Sequence, residues 1–136
     1  MKAIATASPV KWDEKPYDQM PAPMRTTKAS VEFGFKGEVE GVGHTEYIMF
    51  YKVFDEKDPH KSTARYIGLT RFEGSVNGKR GGFVYEEQGT FEAGTAKSSV
   101  TILPGSGTDG LKGISGTGTT SATQKGSQFE LNYELK

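Results

Sequence analysis

Cysteine is absent from the 136 residues, which excludes thiol catalysis, cysteine-ligated zinc and any disulfide framework. A charge surplus is also missing. The 17 Lys and Arg balance 17 Asp and Glu, so the chain lacks the basic excess with which nucleic-acid binders neutralise phosphates. No apolar run approaches the roughly 20 residues of a membrane-spanning helix. Helical patterning is equally poor, because no window sustains apolar spacings of three and four without a glycine interrupting it. The opening Met1–Ser8 has the Lys and small residues of a leader, but Thr6, Ser8 and Pro9 break its apolar stretch. It reads as a first strand, and a cytoplasmic location is expected, with neither nucleic acid nor membrane as partner.

What the chain has in excess is glycine. Its 18 glycines exceed the usual share of about 7%. Most of them close short runs of β-branched and aromatic residues. Eight strands follow, over Lys2–Glu14, Arg25–Glu38, Val42–Phe54, Thr63–Val76, Gly81–Phe91, Ala96–Leu103, Ile114–Ser121 and Gln128–Leu135. Asn77-Gly78 is the strongest turn, since both residues tolerate the positive φ of a type I′ hairpin; Glu40-Gly41, Ala93-Gly94 and Lys125-Gly126 are weaker signals of the same kind. Lys15–Met24, with Pro16, Pro21 and Pro23, reads as a connection, and Asp55–Ser62 as a charged tip. The expected fold is all-β: one domain over residues 1–136, an antiparallel β-barrel of about eight strands. At that strand number a barrel is just wide enough to hold one small ligand.

Period-two alternation sorts the side chains. Phe129, Leu131, Tyr133 and Leu135 share one face of the last strand, and Gln128, Glu130, Asn132 and Glu134 share the other. In the fifth strand Phe83, Tyr85, Glu87, Gly89 and Phe91 lie together, which sets a carboxylate in an aromatic row. The third strand is apolar on both faces: Val42, Ile48, Phe50 and Phe54 on one, Tyr47, Met49, Tyr51 and Val53 on the other. One face belongs to the barrel and the other lies under a loop or a partner subunit, so a homo-oligomer is expected. Which face points inward is open, and a slip of one residue exchanges Glu46 for Tyr47 in the interior.

Gly105–Gly110 matches G-x-G-x-x-G, but the glycines after it forbid the helix a dinucleotide needs, so a tight inter-strand loop is the better reading. His44 and Glu46 project from one face and lack a third ligand, so no metal and no cofactor is expected; His60, beside Pro59 in the polar tip, reads as solvated. Burial would raise the pKa of Glu87 unless a cation paired with it, and Arg71 on the fourth strand is the candidate partner. Such a pair orients a ligand or moves a proton; it equally closes a barrel floor.

Gly41–Tyr51, Tyr66-Ile67-Gly68-Leu69, Gly82–Phe91 and Leu103–Thr108 resemble a family of small bacterial proteins classed as a domain of unknown function, placed with allene-oxide-cyclase-like barrels. Gly107–Gly116 is similar to the glycine loop of plant allene oxide cyclases and dirigent proteins. The resemblance implies an eight-stranded barrel with an apolar cavity, often oligomeric, in which Glu46 is an analogue, by chemistry alone, of the cyclases' cavity glutamate.

Together these features point to a barrel binding a small, mostly apolar molecule. Trp12, Tyr47, Tyr85, Phe91 and Phe129 are its candidate wall, and Glu46, Arg71 and Glu87 its polar groups. Two alternatives stand beside it. One is a cyclase or isomerase in which Glu46 or Glu87 shifts a proton on a compact hydrophobic substrate; the other is a structural protein with a filled barrel and an oligomerising outer face.

Overall fold

In a computed structural model, which describes residues 1–123 and 126–136, the chain is almost entirely strand. The strands are β1 (Lys2–Asp18), β2 (Arg25–Gly37), β3 (Val39–Val53), β4 (Thr63–Val76), β5 (Lys79–Glu92), β6 (Thr95–Ile102), β7 (Thr108–Asp109), β8 (Ser115–Thr123) and β9 (Gly126–Glu134). Each long strand pairs antiparallel with its neighbours in sequence, and β1 pairs with β9, so eight strands close into a barrel. The two-residue β7 is an extra strand on the edge of β5, held at Gly81 and Gly82. One 3₁₀ turn, Pro59–Lys61, lies between β3 and β4.

The hairpin signals hold where positive φ is needed. Asn77 and Gly78 have φ of 48° and 84°, and Ala93 and Gly94 have 52° and 79°, which gives two-residue turns matched to strand twist. Glu40-Gly41 is a correction, since the chain turns earlier, between Gly37 and Val39, and Gly41 lies inside β3. There it faces Gly74 of β4 at φ of 147° and 158°, and a Cβ on either residue would run into the opposite backbone. Lys125-Gly126 falls partly outside the described residues. The proline segment is also shorter than expected, because β1 runs through Pro16 to Asp18 by pairing with β2 across two irregularities. The G-x-G-x-x-G segment forms no helix, as its context required, and is a loop that carries the two-residue β7. Leu111 and Ile114 fold from it into the core.

Alternation decides the interior. From β9, Phe129, Leu131 and Tyr133 point inward; from β3, Thr45, Tyr47 and Met49 do so, leaving Val42, His44, Glu46, Ile48 and Phe50 outside. The aromatic rings of Phe35, Phe72, Phe83, Tyr85 and Phe129 form a continuous cluster with centroids 5.1–6.3 Å apart. With Val39, Val76, Val100, Ile102 and Leu131 they fill one half of the lumen. A smaller group, Ala29, Val31, Tyr47, Met49 and Tyr66, lines the other half without filling it. Phe72, 1% exposed, stands at the centre of the filled half. Phe72→Ala should therefore cost about 3–5 kcal/mol in urea unfolding, whereas an exposed change such as Thr101→Ala should cost well under that.

Candidate functional site

The unfilled half of the barrel is a cavity of about 530 Å³, open at the end where the β3–β4 loop and the β5–β6 turn meet. That lies within the size range of small-ligand pockets. Its floor is the aromatic cluster, through Tyr85 and Phe129, and its walls include Phe33, Tyr47, Met49, Tyr66 and Phe91. Two inward glycines give the wall side chains room to lie against the sheet. A Cβ on Gly68 would collide with the Tyr47 ring, and one on Gly89 with the Tyr66 hydroxyl and Ser98. Tyr47 and Tyr66 accordingly pack edge to face, 5.4 Å apart.

Glu87 sits in this wall, 6% exposed. Its Oε1 accepts from the Tyr47 hydroxyl at 3.1 Å and its Oε2 from Ser98 Oγ at 2.5 Å. Ser98 is in turn bonded to Thr120, whose Oγ1 also reaches Glu87 Oε2 at 3.5 Å. Burial pushes the Glu87 pKa upward, and the three hydroxyl donors only partly oppose that. Burial, with the negative charge of Glu87, also raises the hydroxyls around it: Tyr47 and Tyr85 strongly, Tyr66 to about 12.

Trp12, half-exposed, hangs over the mouth from β1, its ring 6.3 Å from that of Tyr47. Glu14 fixes that placement, accepting from Trp12 Nε1 at 3.0 Å, Thr27 at 2.7 Å and the Tyr51 hydroxyl at 2.8 Å. Opposite, the His60 ring covers Gly94, so the histidine read as merely solvated is exposed but stands at the cavity mouth with Asp55 and Glu56.

The structure brings together Trp12, Tyr47, Tyr85, Glu87, Phe91 and Phe129. It does not bring in the other two polar candidates. Glu46 is on the outer face of β3, accepting from Ser30 Oγ at 2.8 Å. Arg71 is on the outer face of β4, exposed and 3.6 Å from Glu73, so it cannot pair with Glu87. Both corrections have one cause. With Tyr47 and Phe72 inward, every even position of β3 and odd position of β4 faces out. His44 is outside as well, 3.7 Å from Glu32; among the described residues no three metal-binding side chains cluster. The reading of the sequence missed Ser98 and Thr120. Counting by twos from the apolar Val100 and Ile102 would have placed Ser98 inside.

Glu87 has a direct consequence for stability. With its folded pKa raised above the ordinary 4.5, the unfolded chain ionises first as pH rises, and stability is lost between the two values. In that window the loss approaches about 1.4 kcal/mol per pH unit. Glu87→Gln removes this slope, so urea titrations from about pH 4 to 8 should show the variant gaining on the wild type as pH rises. Parallel curves would remove the burial argument.

Among the described residues no helix is long and apolar enough to cross a membrane. The chain is similar, over its whole length and 97% of the other chain, to the crystal structure of a protein of unknown function from Shewanella oneidensis MR-1. Identity is 19% and the TM-score 0.78, which is a likeness of fold. No curated protein matches. A family profile described as "Protein of unknown function (DUF3224)", the family to which the Shewanella protein is also assigned, matches residues 3–135. The chain belongs to the DUF3224 family.

Proposed function

We propose that the protein is a binding barrel for a small, mostly apolar molecule. The observation that carries this reading is the half-filled lumen: a cavity of about 530 Å³ with aromatic walls in which Glu87 is the one buried carboxylate among the described residues. Burial of an apolar body contributes affinity there, and the hydroxyl-bonded carboxylate orients one polar head. The likeness of Gly107–Gly116 to the glycine loop of allene oxide cyclases supports kinship of scaffold and carries no activity with it. A cyclase or isomerase reaction would rest on Glu87 alone, since Glu46 is outside. Native mass spectrometry of the purified protein should reveal a co-purified small molecule, or uptake of Nile red by the emptied barrel. Ala122→Trp, which fills the mouth side of the cavity, should weaken dye binding at least about tenfold with little change in Tm. A wild-type protein that takes up neither molecule sinks the reading.

A homodimer is the second part of the reading, and the outer face of β3 and β4 favours it. Ile48, Ile67 and Leu69 are 47%, 58% and 51% exposed there. Strand register orders this face in rows. The central row is Lys28, Ile48, Ile67, Gln88, Ser99; on one side lie Phe50, Arg65, Thr90 and Lys97, and on the other Glu46, Leu69, Glu86 and Thr101. One flank is thus basic and the other acidic. A two-fold axis along the Ile48–Ile67 row stacks the isoleucines on their own copies. It also sets Arg65 over the partner's Leu69, between the partner's Glu46 and the partner's Glu86. An axis along the strands would instead oppose Arg65 to itself. Sedimentation analysis should find a dimer, Ile67→Asp should raise its dissociation constant at least about a hundredfold, and Arg65→Glu should weaken it with Glu86→Arg restoring part of the loss. A wild-type monomer would remove the dimer.

A further inference from the structure

We infer that the head group this cavity selects is a protonated amine, so that its ligands are hydrophobic ammonium compounds rather than acids or neutral alcohols. The inference rests on the reading that the cavity binds apolar molecules and adds the sign of the ligand's charge.

The charges on the wall carry it. Among the described residues the cavity is lined by three carboxylates, Asp55, Glu56 and Glu87, by His60, and by no Lys or Arg. Arg25 stands against two of the lining residues, Phe54 and Glu56. It is already committed, with its guanidinium 3.9 Å from the Phe54 ring centroid and 3.2 Å from Glu56 Oε1. Asp55 is tied to its own loop, accepting from the backbone N–H groups of Lys57 and Asp58. That leaves Glu87 as the buried carboxylate with no cationic partner among the described residues, since none of their ion pairs includes it.

Its surroundings suit an ammonium. Both Glu87 oxygens accept hydrogen bonds from hydroxyls, the arrangement that stabilises the ionised form. The rings beside it, Tyr47, Tyr66 and Tyr85, are buried, and a cation against a buried ring is worth more than one at a surface. An incoming ammonium supplies the counter-charge that burial denies Glu87, and an alkyl or aryl body covers Phe33, Met49 and Phe91. A carboxylate ligand would set like charges together with nothing on the described wall to neutralise them.

Binding should depend on pH in a defined sense. The groups facing Glu87 are Tyr47 from β3, Tyr66 from β4, Ser98 from β6 and Thr120 from β8, with Tyr85 on its own strand and Asp55, Glu56 and His60 at the mouth. The tyrosines stay protonated across the neutral range, their hydroxyls being raised by burial. Amine affinity should therefore rise with pH as Glu87 ionises. Affinity for a neutral acceptor held by protonated Glu87 should fall over the same interval.

The test is calorimetric, on the intact wild-type protein, with three probes sharing one apolar body: tryptamine, tryptophol and indole-3-acetate. Tryptamine should bind at least about tenfold more tightly than either of the others, and its advantage should grow with pH. Glu87→Gln should abolish that advantage and flatten its dependence on pH. Tryptophol or indole-3-acetate binding as tightly as tryptamine in the wild type overturns the ammonium assignment. So does tryptamine giving no heat while Nile red still binds, and in both cases the apolar-cavity reading survives. Failure of tryptamine and Nile red together removes the cavity reading and this one with it.

Discussion

The contact on which the rest of the barrel depends is the aromatic cluster of Phe35, Phe72 and Phe129. Phe35 meets Phe72 at 5.4 Å and Phe129 at 5.3 Å, both edge to face. These three rings come from β2, β4 and β9, elements far apart in sequence, so their packing ties the closed sheet across its lumen. It also divides that lumen. On one side, Leu111 and Ile114 from the glycine-rich loop and the valines of β3, β4 and β6 complete a dry core. On the other, small residues such as Ala7, Ala96 and Ala122 stand where larger ones would have filled the space. A barrel with bulky side chains at both ends would be a solid. This one is solid at one end.

The position of Glu87 acquires meaning from that division. Placed two residues nearer the filled end, at Tyr85, a carboxylate would be sealed among rings; two residues nearer the mouth, at Gly89, it would collide with the Tyr66 hydroxyl and Ser98. Where it is, the hydroxyls of Tyr47, Ser98 and Thr120 satisfy its oxygens while burial still raises its pKa. Hydrogen bonds replace most of the lost hydration without supplying a counter-charge. Buried acids whose titration is shifted in this way cluster at functional sites, and structural networks shift them too. The outer face shows a comparable imbalance: Ile48 and Ile67 lie between a flank bearing Arg65 and Lys97 and one bearing Glu46 and Glu86, on positions of β3 to β6 that alternate with the inward ones.

Much of this was legible in the chain itself. Glycine punctuation marked the strands within a few residues, and the two Xaa-Gly hairpins at Asn77 and Ala93 were correctly placed because positive φ is a local demand. The β9 alternation identified Phe129, Leu131 and Tyr133 as interior, and the aromatic row of β5 identified Tyr85 and Glu87. Glu40-Gly41 misled because a glycine required for close approach to Gly74 carries the same letter as a glycine required for a turn. Pro16 misled in another way, since β1 accommodates it beside an irregularity in its pairing with β2.

Local residue chemistry, then, was enough to establish the class of fold, the strands and the two faces of each, because backbone torsion and period-two alternation act within a few residues. It could not say which face of β3 is the inner one, because both are apolar and the choice depends on register with β2 and β4. Sheet closure made that choice. It turned Tyr47 inward and Glu46 outward, sent Arg71 to the surface away from Glu87, and gathered Ser98 and Thr120 around that carboxylate from strands widely separated along the chain. Contacts between distant segments have no local signature, and the candidate site consists of such contacts.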